Sequence, residues 1–296
     1  MHRFINDPKI SVFDGSSFRL SNYETDYTGG IRDKKEARSK LKKDKEILHD
    51  LQRMMYATDR HSVLLIFQAM DAAGKDSTIR QVFSGMFPQA GRVHSFKAPT
   101  SKELDHDYLW RSGLVLPERG TFSIFNRSYY EEVLVTRVHP SYILGQRIPG
   151  INDLDDVNDA FWARRLKAIK DHEEHLADNG TIILKFFLNV SKEEQKRRFI
   201  SRIETQEKNW KFNINDLKER ARWNDYQHAY EEAIRNTAVE HAPWFVIPAD
   251  NKWFMQAAVC DIIIGALEQL NLTYPTVDEQ GKADLAKGLS ILNSEE

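Results

Sequence analysis

The sequence predicts an α/β protein, a parallel sheet with helices on both faces, and three observations carry that expectation. Val63-Leu64-Leu65-Ile66-Phe67 is a continuous apolar run, as expected of a strand buried on both sides. A glycine-containing loop and a helical stretch from about 77 to 87 follow it directly. Four further short strand candidates, at 92–96, 121–125, 181–188 and 244–247, are separated by helical segments, which is the pattern of βαβ units.

Taken in order, residues 1–32 are polar with scattered Phe13, Phe18, Tyr23 and Tyr27, and Gly29-Gly30 closes them like a hinge, so they read as an N-terminal arm. From 34 to about 58, Ala37, Leu41, Leu48, Leu51 and Met55 recur at three-, four- and seven-residue spacings, an amphipathic helix. Its other face carries Lys34, Lys35, Arg38, Lys40, Lys42, Lys43 and Lys45, partly balanced by Glu36, Asp44 and Glu46. A solvated face and an anion-binding face remain alternatives there. After the 181–188 strand, Ser191-x-x-Glu194 has the form of a capping box that opens a helix. The 244–247 strand ends at Pro248, residues 253–270 read as a final packing helix, and 275–296 as a tail that is a loosely held helix or disorder. The expected organisation is an arm (1–32), one domain (33–274) and the tail.

Composition narrows the class. Against 44 Asp plus Glu the chain has 42 Lys plus Arg, a formal charge of −2, and 41% of its 296 residues are hydrophobic. That excludes disordered and collagen-like chains and argues against a general nucleic-acid coat protein. The single cysteine, Cys260, lies in an apolar stretch and reads as an inert buried thiol, so no internal disulfide is expected. No apolar run is long enough for a membrane span, and the first residues lack the core of a signal peptide; a cytoplasmic protein without membrane or nucleic-acid partners is expected. His172 and His175 are three apart, one short of H-E-x-x-H, and read as a surface helix.

The chemistry concentrates in Ala69-Met70-Asp71-Ala72-Ala73-Gly74-Lys75-Asp76-Ser77, between a strand and a helix. Backbone N–H groups of such a loop, with a helix N-terminus behind them, cradle phosphate, and the lysine reaches the transferring group. The match to G-x-x-x-x-G-K-[ST] is degenerate, with Ala69 for the first glycine and Asp76 after Lys75. Asp71 within a phosphate cradle would be repelled by its ligand unless a metal ion bridges them or it accepts a hydrogen bond, so it reads as functional, a ligand of Mg²⁺ partly through water. Asp76 is either a helix-start residue or part of the metal sphere. A second strand ends in Asn126-Arg127-Ser128, where P-loop enzymes place a metal-binding carboxylate; Arg127 could fork onto phosphate oxygens. Residues 191–222 contain ten basic groups, with Arg198 and Arg202 on one helical face, and read as a lid gripping extended phosphates.

Met70-Asp71-Ala72-Ala73-Gly74-Lys75-Asp76, Phe96-Lys97-Ala98-Pro99-Thr100, Glu103-Leu104-Asp105-His106-Asp107, Phe125-Asn126-Arg127-Ser128-Tyr129-Tyr130-Glu131 and Val138-His139-Pro140 together resemble the polyphosphate kinase 2 family. The similarity runs from about 30 to 270 in the same order, through Arg197-Arg198-Phe199, Trp210-Lys211, Trp223 with Tyr226, and Ala242-Pro243-Trp244. The resemblance implies a thymidylate-kinase-like P-loop fold and Mg²⁺-dependent, reversible phosphoryl transfer between inorganic polyphosphate and AMP, ADP or ATP. The Asn-Arg-Ser form resembles the class III branch, which charges both AMP and ADP; other branches carry Asp at the position of Asn126. Carried over, Asp71 orients the nucleotide phosphate or its metal, and Lys75 and Arg127 bind the transferring group. Ala72, Ala73, Gly74, Asp76 and Ser77 complete the cradle, while Arg198 and Arg202 line the polyphosphate path. A homo-oligomer is expected. The alternatives are an ATP-dependent nucleoside monophosphate kinase and a non-catalytic nucleotide-binding protein.

Overall fold

The computed structural model describes residues 2–295. Its strands are β1 Ser11–Val12, β2 Ser62–Gln68, β3 Gly91–Ser95, β4 Phe122–Asn126, β5 Thr181–Asn189 and β6 Trp244–Pro248. The helices are α1 Lys34–Thr58, α2 Lys75–Val82, α3 Ser101–Leu104, α4 Trp110–Gly113, α5 Glu131–Val138, α6 Ser141–Leu144, α7 Asp159–Asp178, α8 Lys192–Glu204, α9 Asn215–Ala221, α10 Trp223–Thr237, α11 Lys252–Glu268 and α12 Glu279–Leu292.

The strands form one sheet in the order β1-β6-β5-β2-β4-β3, parallel except for β1. Every residue of β2 is buried, as its unbroken apolar run requires. Because β2 is central, chain connections diverge from it to opposite sides, and the crevice at the carboxyl ends of β2 and β4 is where a sheet of this kind binds ligands. The phosphate-loop residues and Asn126-Arg127 both lie there. No helix among the described residues is long and apolar enough to cross a membrane.

Three sequence expectations are modified. The segment read as an arm is built into the core: Phe4, Ile10, Val12, Phe18 and Leu20 are buried and β1 pairs with β6. The buried Asp261 of α11 ties it down, accepting from the Phe4 N–H at 3.0 Å and the His2 ring at 3.1 Å while also meeting the Lys40 ammonium. Helix α2 stops at Val82 instead of running to 87, because Gly85 takes a left-handed φ of 93° and the chain turns before β3. Only half of the Ser191 capping box forms: Ser191 accepts from the Glu194 N–H at 3.1 Å, but the Glu194 carboxylate is drawn to Arg197 and Arg198 instead. Helix α12 buries none of its residues.

A fully buried ion pair joins two layers. Lys185 of β5 and Glu173 of α7 are both inaccessible to solvent. The ammonium also donates to the Thr237 carbonyl at 2.8 Å, and Glu173 Oε1 accepts from the hydroxyls of Tyr129 and Tyr130, each at 2.9 Å. Thr237 in turn accepts from the Trp244 indole at 2.9 Å. Burial drives the lysine pKa down and the two tyrosine pKa values up. These tyrosines lie two and three residues after Arg127, so the network fixes from below the turn that presents that arginine.

Candidate active site

The loop after β2 is shaped from behind by α8. The guanidinium of Arg198 is buried, and it donates through Nη1 to the Ala72 and Ala73 carbonyls at 3.2 and 2.6 Å. Through Nη2 it reaches the Ala249 and Asp250 carbonyls at 2.6 and 3.1 Å, and through Nε the Glu194 carboxylate at 2.6 Å. Gln195 holds the Asp71 carbonyl at 2.9 Å. A trans peptide points its N–H opposite its C=O, so carbonyls turned toward α8 turn amides toward the crevice. Among the described residues, the backbone N–H groups of Ala72, Gly74, Lys75, Asp76 and Ser77 have no acceptor in the chain, while Ala73 N–H bonds the Met70 carbonyl at 3.2 Å. Five open amides at a helix start form an anion-binding nest.

Gly74 makes the nest possible. Its φ is +110°, and a Cβ there would lie 3.1 Å from the Met255 methyl and 3.3 Å from Ser77 Oγ. Lys75 is buried and its ammonium donates to the Ala69 carbonyl at 2.8 Å. Burial, reinforced by the nearby Arg127, pushes its pKa below the usual lysine range, against the pull of Asp71, Glu131 and Asp76.

Arg127 sits opposite. Its backbone N–H meets the Phe67 carbonyl at 3.0 Å and its φ is +65°, a left-handed conformation that a non-glycine residue holds only when its surroundings impose it. The side chain lies 3.2 Å from Asp71 and 3.8 Å from Glu131, and Glu131 followed by Asp71 holds its pKa up. Burial raises the Glu131 pKa against the pull of Arg127 and Lys75.

Arg202 pairs with Asp216 of α9 at 3.6 Å. Burial, then the charge of Asp71, raises the Asp216 carboxyl pKa, so α9 brings its carboxylate into the field of the loop. The site thus gathers Asp71, Asp76, Glu131 and Asp216 around Lys75, Arg127 and Arg202.

Of the residues expected from sequence, Asp71, Lys75, Asn126, Arg127, Asp76 and Ser77 converge on this crevice. The role expected for Arg198 is corrected: all five of its N–H donors are taken up by carbonyls and Glu194, leaving none for a polyphosphate chain, and it positions the loop. Lysine at 198 cannot reproduce a five-donor fork. Arg198→Lys is therefore expected to lower kcat at least tenfold while leaving the salt dependence of polyphosphate KM unchanged, measured by steady-state assays at several ionic strengths.

Asn126 closes β4 beside the loop. Its amide nitrogen donates to Asp76 at 2.8 Å, so its donor is engaged by a carboxylate of the loop helix. Asn126→Asp would set two carboxylates at hydrogen-bond distance, where one must protonate or share a cation. The variant is expected to melt about 3 °C lower than wild type without divalent metal and to regain more than wild type when Mg²⁺ is added, as read by thermal melts with and without the ion.

Sequence reasoning passed over Glu131, Gln195 and Asp216. Glu131 stands at the end of the Arg127-Ser128-Tyr129-Tyr130-Glu131 run and opens α5, and the left-handed turn at Arg127, which sequence spacing does not show, brings the two side chains to 3.8 Å. Gln195 and Asp216 have no local signal: the Asp71 carbonyl that Gln195 holds is 124 residues away, and Arg202, the partner of Asp216, lies on another helix.

Three comparisons bear on this arrangement. The family described as polyphosphate kinase 2 matches residues 31–275. A protein of Rhodopseudomonas palustris named ADP-polyphosphate phosphotransferase is 44% identical over 281 residues, spanning 95% of this chain and 96% of that one. One of Meiothermus ruber named AMP/ADP-polyphosphate phosphotransferase is 43% identical over 268 residues, 90% of this chain and 95% of that one. The crystal structure of polyphosphate kinase 2 from Arthrobacter aurescens superposes with a TM-score of 0.84 at 38% identity, covering 94% of this chain and 95% of that one.

Proposed function

We propose, from the premise that this chain belongs to the polyphosphate kinase 2 family, that its crevice transfers a phosphoryl group from inorganic polyphosphate to AMP and ADP. The observation that carries the reading is the nest of five open amides with Lys75 and Arg127 converging on it. A terminal phosphoryl group in the nest has its equatorial oxygens among amide donors and two cations. That is where negative charge must be stabilised as an acceptor oxygen of the nucleotide bonds to phosphorus and the bond to the next polyphosphate unit breaks.

Lys75 starts from the Ala69 carbonyl, an uncharged acceptor that a phosphate oxygen can displace. Arg127 is held between Asp71 and Glu131 and points its planar fork across the crevice. Asp71, on the loop itself, orients the incoming nucleotide phosphate. Arg202 contributes a cation from α8 to the polyphosphate side.

The donor set fits Mg²⁺. Four carboxylates face three cations here, and hard carboxylate oxygens from Asp71 and Asp76 suit that ion. Bound there, Mg²⁺ supplies neutralisation of phosphate oxygens. Reversibility follows if both directions share the same aligned groups. A cytoplasmic location suits a nucleotide substrate. The exposed Leu285, Leu289 and Leu292 of α12 support self-association through that helix.

One mixing assay tests the reading: protein, Mg²⁺ and long-chain polyphosphate with AMP or ADP, followed for ADP and ATP. Product in both cases is expected. No product with polyphosphate, but product from ATP plus a nucleoside monophosphate, replaces this function with a monophosphate kinase; nucleotide binding without turnover replaces it with a regulator.

A further inference from the structure

Helix α1 presents cations that no carboxylate neutralises. From Arg32 to Asp50 the ion pairs among the described residues are Arg32 with Glu36, Lys40 with Asp44 and Asp261, and His49 with Asp50. Arg38, Lys42 and Lys45 are left without one. Spaced four and three residues apart, they form one stripe, about 10 Å long at 1.5 Å per residue.

That stripe is one wall of a groove of about 880 Å³, closed on the other side by α2 and the start of α11, which add Arg80 and Lys252. Lys45 spans it, its ammonium donating to Ser84 Oγ at 2.5 Å. Two carboxylates, of Glu46 and Asp50, line it against six Lys and Arg side chains, Lys34 extending the stripe by one turn. Unpaired like charges held side by side repel, and a groove of one sign concentrates counter-ions of the other. Ser77, whose backbone N–H is among the open amides, also lines this groove, so the groove begins where the phosphate nest ends. Lys252 stands at the join: loss of surrounding water and then the Arg198 guanidinium hold its pKa below the usual lysine range.

We propose that this groove holds the distal part of the polyphosphate donor, the run of phosphates beyond the one transferred, gripped by charge alone. The proposal rests on the functional reading above and extends it to a path. A row of cations along a helix suits an unbranched chain charged at every unit, whereas a mononucleotide is too short to meet all of them. Single-stranded nucleic acid would call for several stacking aromatics, and the wall offers one indole, Trp253. With the donors of Arg198 spent on the loop, α1 supplies the cations that continue the path beyond Arg202 of α8.

The test is the triple variant Arg38→Gln/Lys42→Gln/Lys45→Gln beside the charge-conserving Arg38→Lys/Lys42→Arg/Lys45→Arg. Arg38 and Lys42 are exposed, Lys45 is half-buried, and none packs in the core, so both variants should fold. For the glutamine variant we expect KM for long-chain polyphosphate to rise about tenfold and the log–log salt slope of that affinity to fall by about two. KM for ADP and kcat should stay at wild-type values, and the charge-conserving variant should match wild type. Polyphosphate KM unchanged in the glutamine variant, or raised equally in the charge-conserving one, overturns the path while the enzyme remains active. A wild-type protein inactive on polyphosphate overturns the functional reading, and the path with it.

Discussion

Lys75→Ala is expected to lower phosphoryl transfer about a thousandfold or more while the protein keeps its melting temperature to within a few degrees. The ammonium is buried beside the phosphate nest, on the loop that carries the open amides. The transition state of phosphoryl transfer spreads charge over three equatorial oxygens, and a preorganised cation in a water-poor crevice costs no reorganisation when that charge develops. In the resting protein the same ammonium makes one hydrogen bond, to the Ala69 carbonyl, and its burial opposes its charge. Removing it therefore sacrifices little stability. The measurement is kcat with saturating polyphosphate and ADP, next to a thermal melt. Activity within a few-fold of wild type would mean that the nest is not where transfer occurs. Lys75→Arg is not a rescue, since a planar guanidinium cannot occupy the volume of a buried point charge.

The largest effect on stability is expected from Lys185→Met, about 3–5 kcal/mol, or roughly 10 °C in melting temperature. The substitution removes one member of an ion pair that is wholly out of water and leaves Glu173 charged among apolar layers, with the Thr237 carbonyl losing its donor. Desolvation makes such a pair a modest source of net stability, yet breaking it on one side is costly because the remaining charge has no solvent. The double variant Lys185→Met/Glu173→Gln should recover about half of the loss, since the glutamine oxygen can still accept from Tyr129 and Tyr130. Equal melting temperatures for the single and double variants would show that the pair acts through packing volume and not through charge. Because the two tyrosines anchor the turn of Arg127, the single variant is also expected to lose kcat well below its melting temperature.

The part of this protein legible in sequence is the part whose physics is local. An unbroken apolar run of five residues ahead of a glycine loop suits a strand covered on both faces, so β2 was readable from Val63 to Phe67, and its place in a parallel sheet from the alternation of strands and helices that follows. The loop that follows is equally local: Gly74, Lys75 and the helix start lie within a few residues, and the backbone geometry that opens amides toward a phosphate is set by that short stretch. The basic face of α1 was visible too, although periodicity could not say whether it faces water or a wall.

What tertiary structure decided is which donors are already spent. Arg198 carries a charge that sequence assigns to the substrate, but four of its five N–H groups meet carbonyls of residues far away in the chain and the fifth meets Glu194, and a guanidinium with no free donor positions a loop. Asn126 is likewise committed to Asp76, fifty residues distant. The arm joins the core because Phe4, Ile10 and Val12 find apolar partners that only the folded sheet and α11 provide. Hydrogen-bond saturation and burial are properties of pairs brought together across long separations, and a single chain read in order contains the members without the pairing.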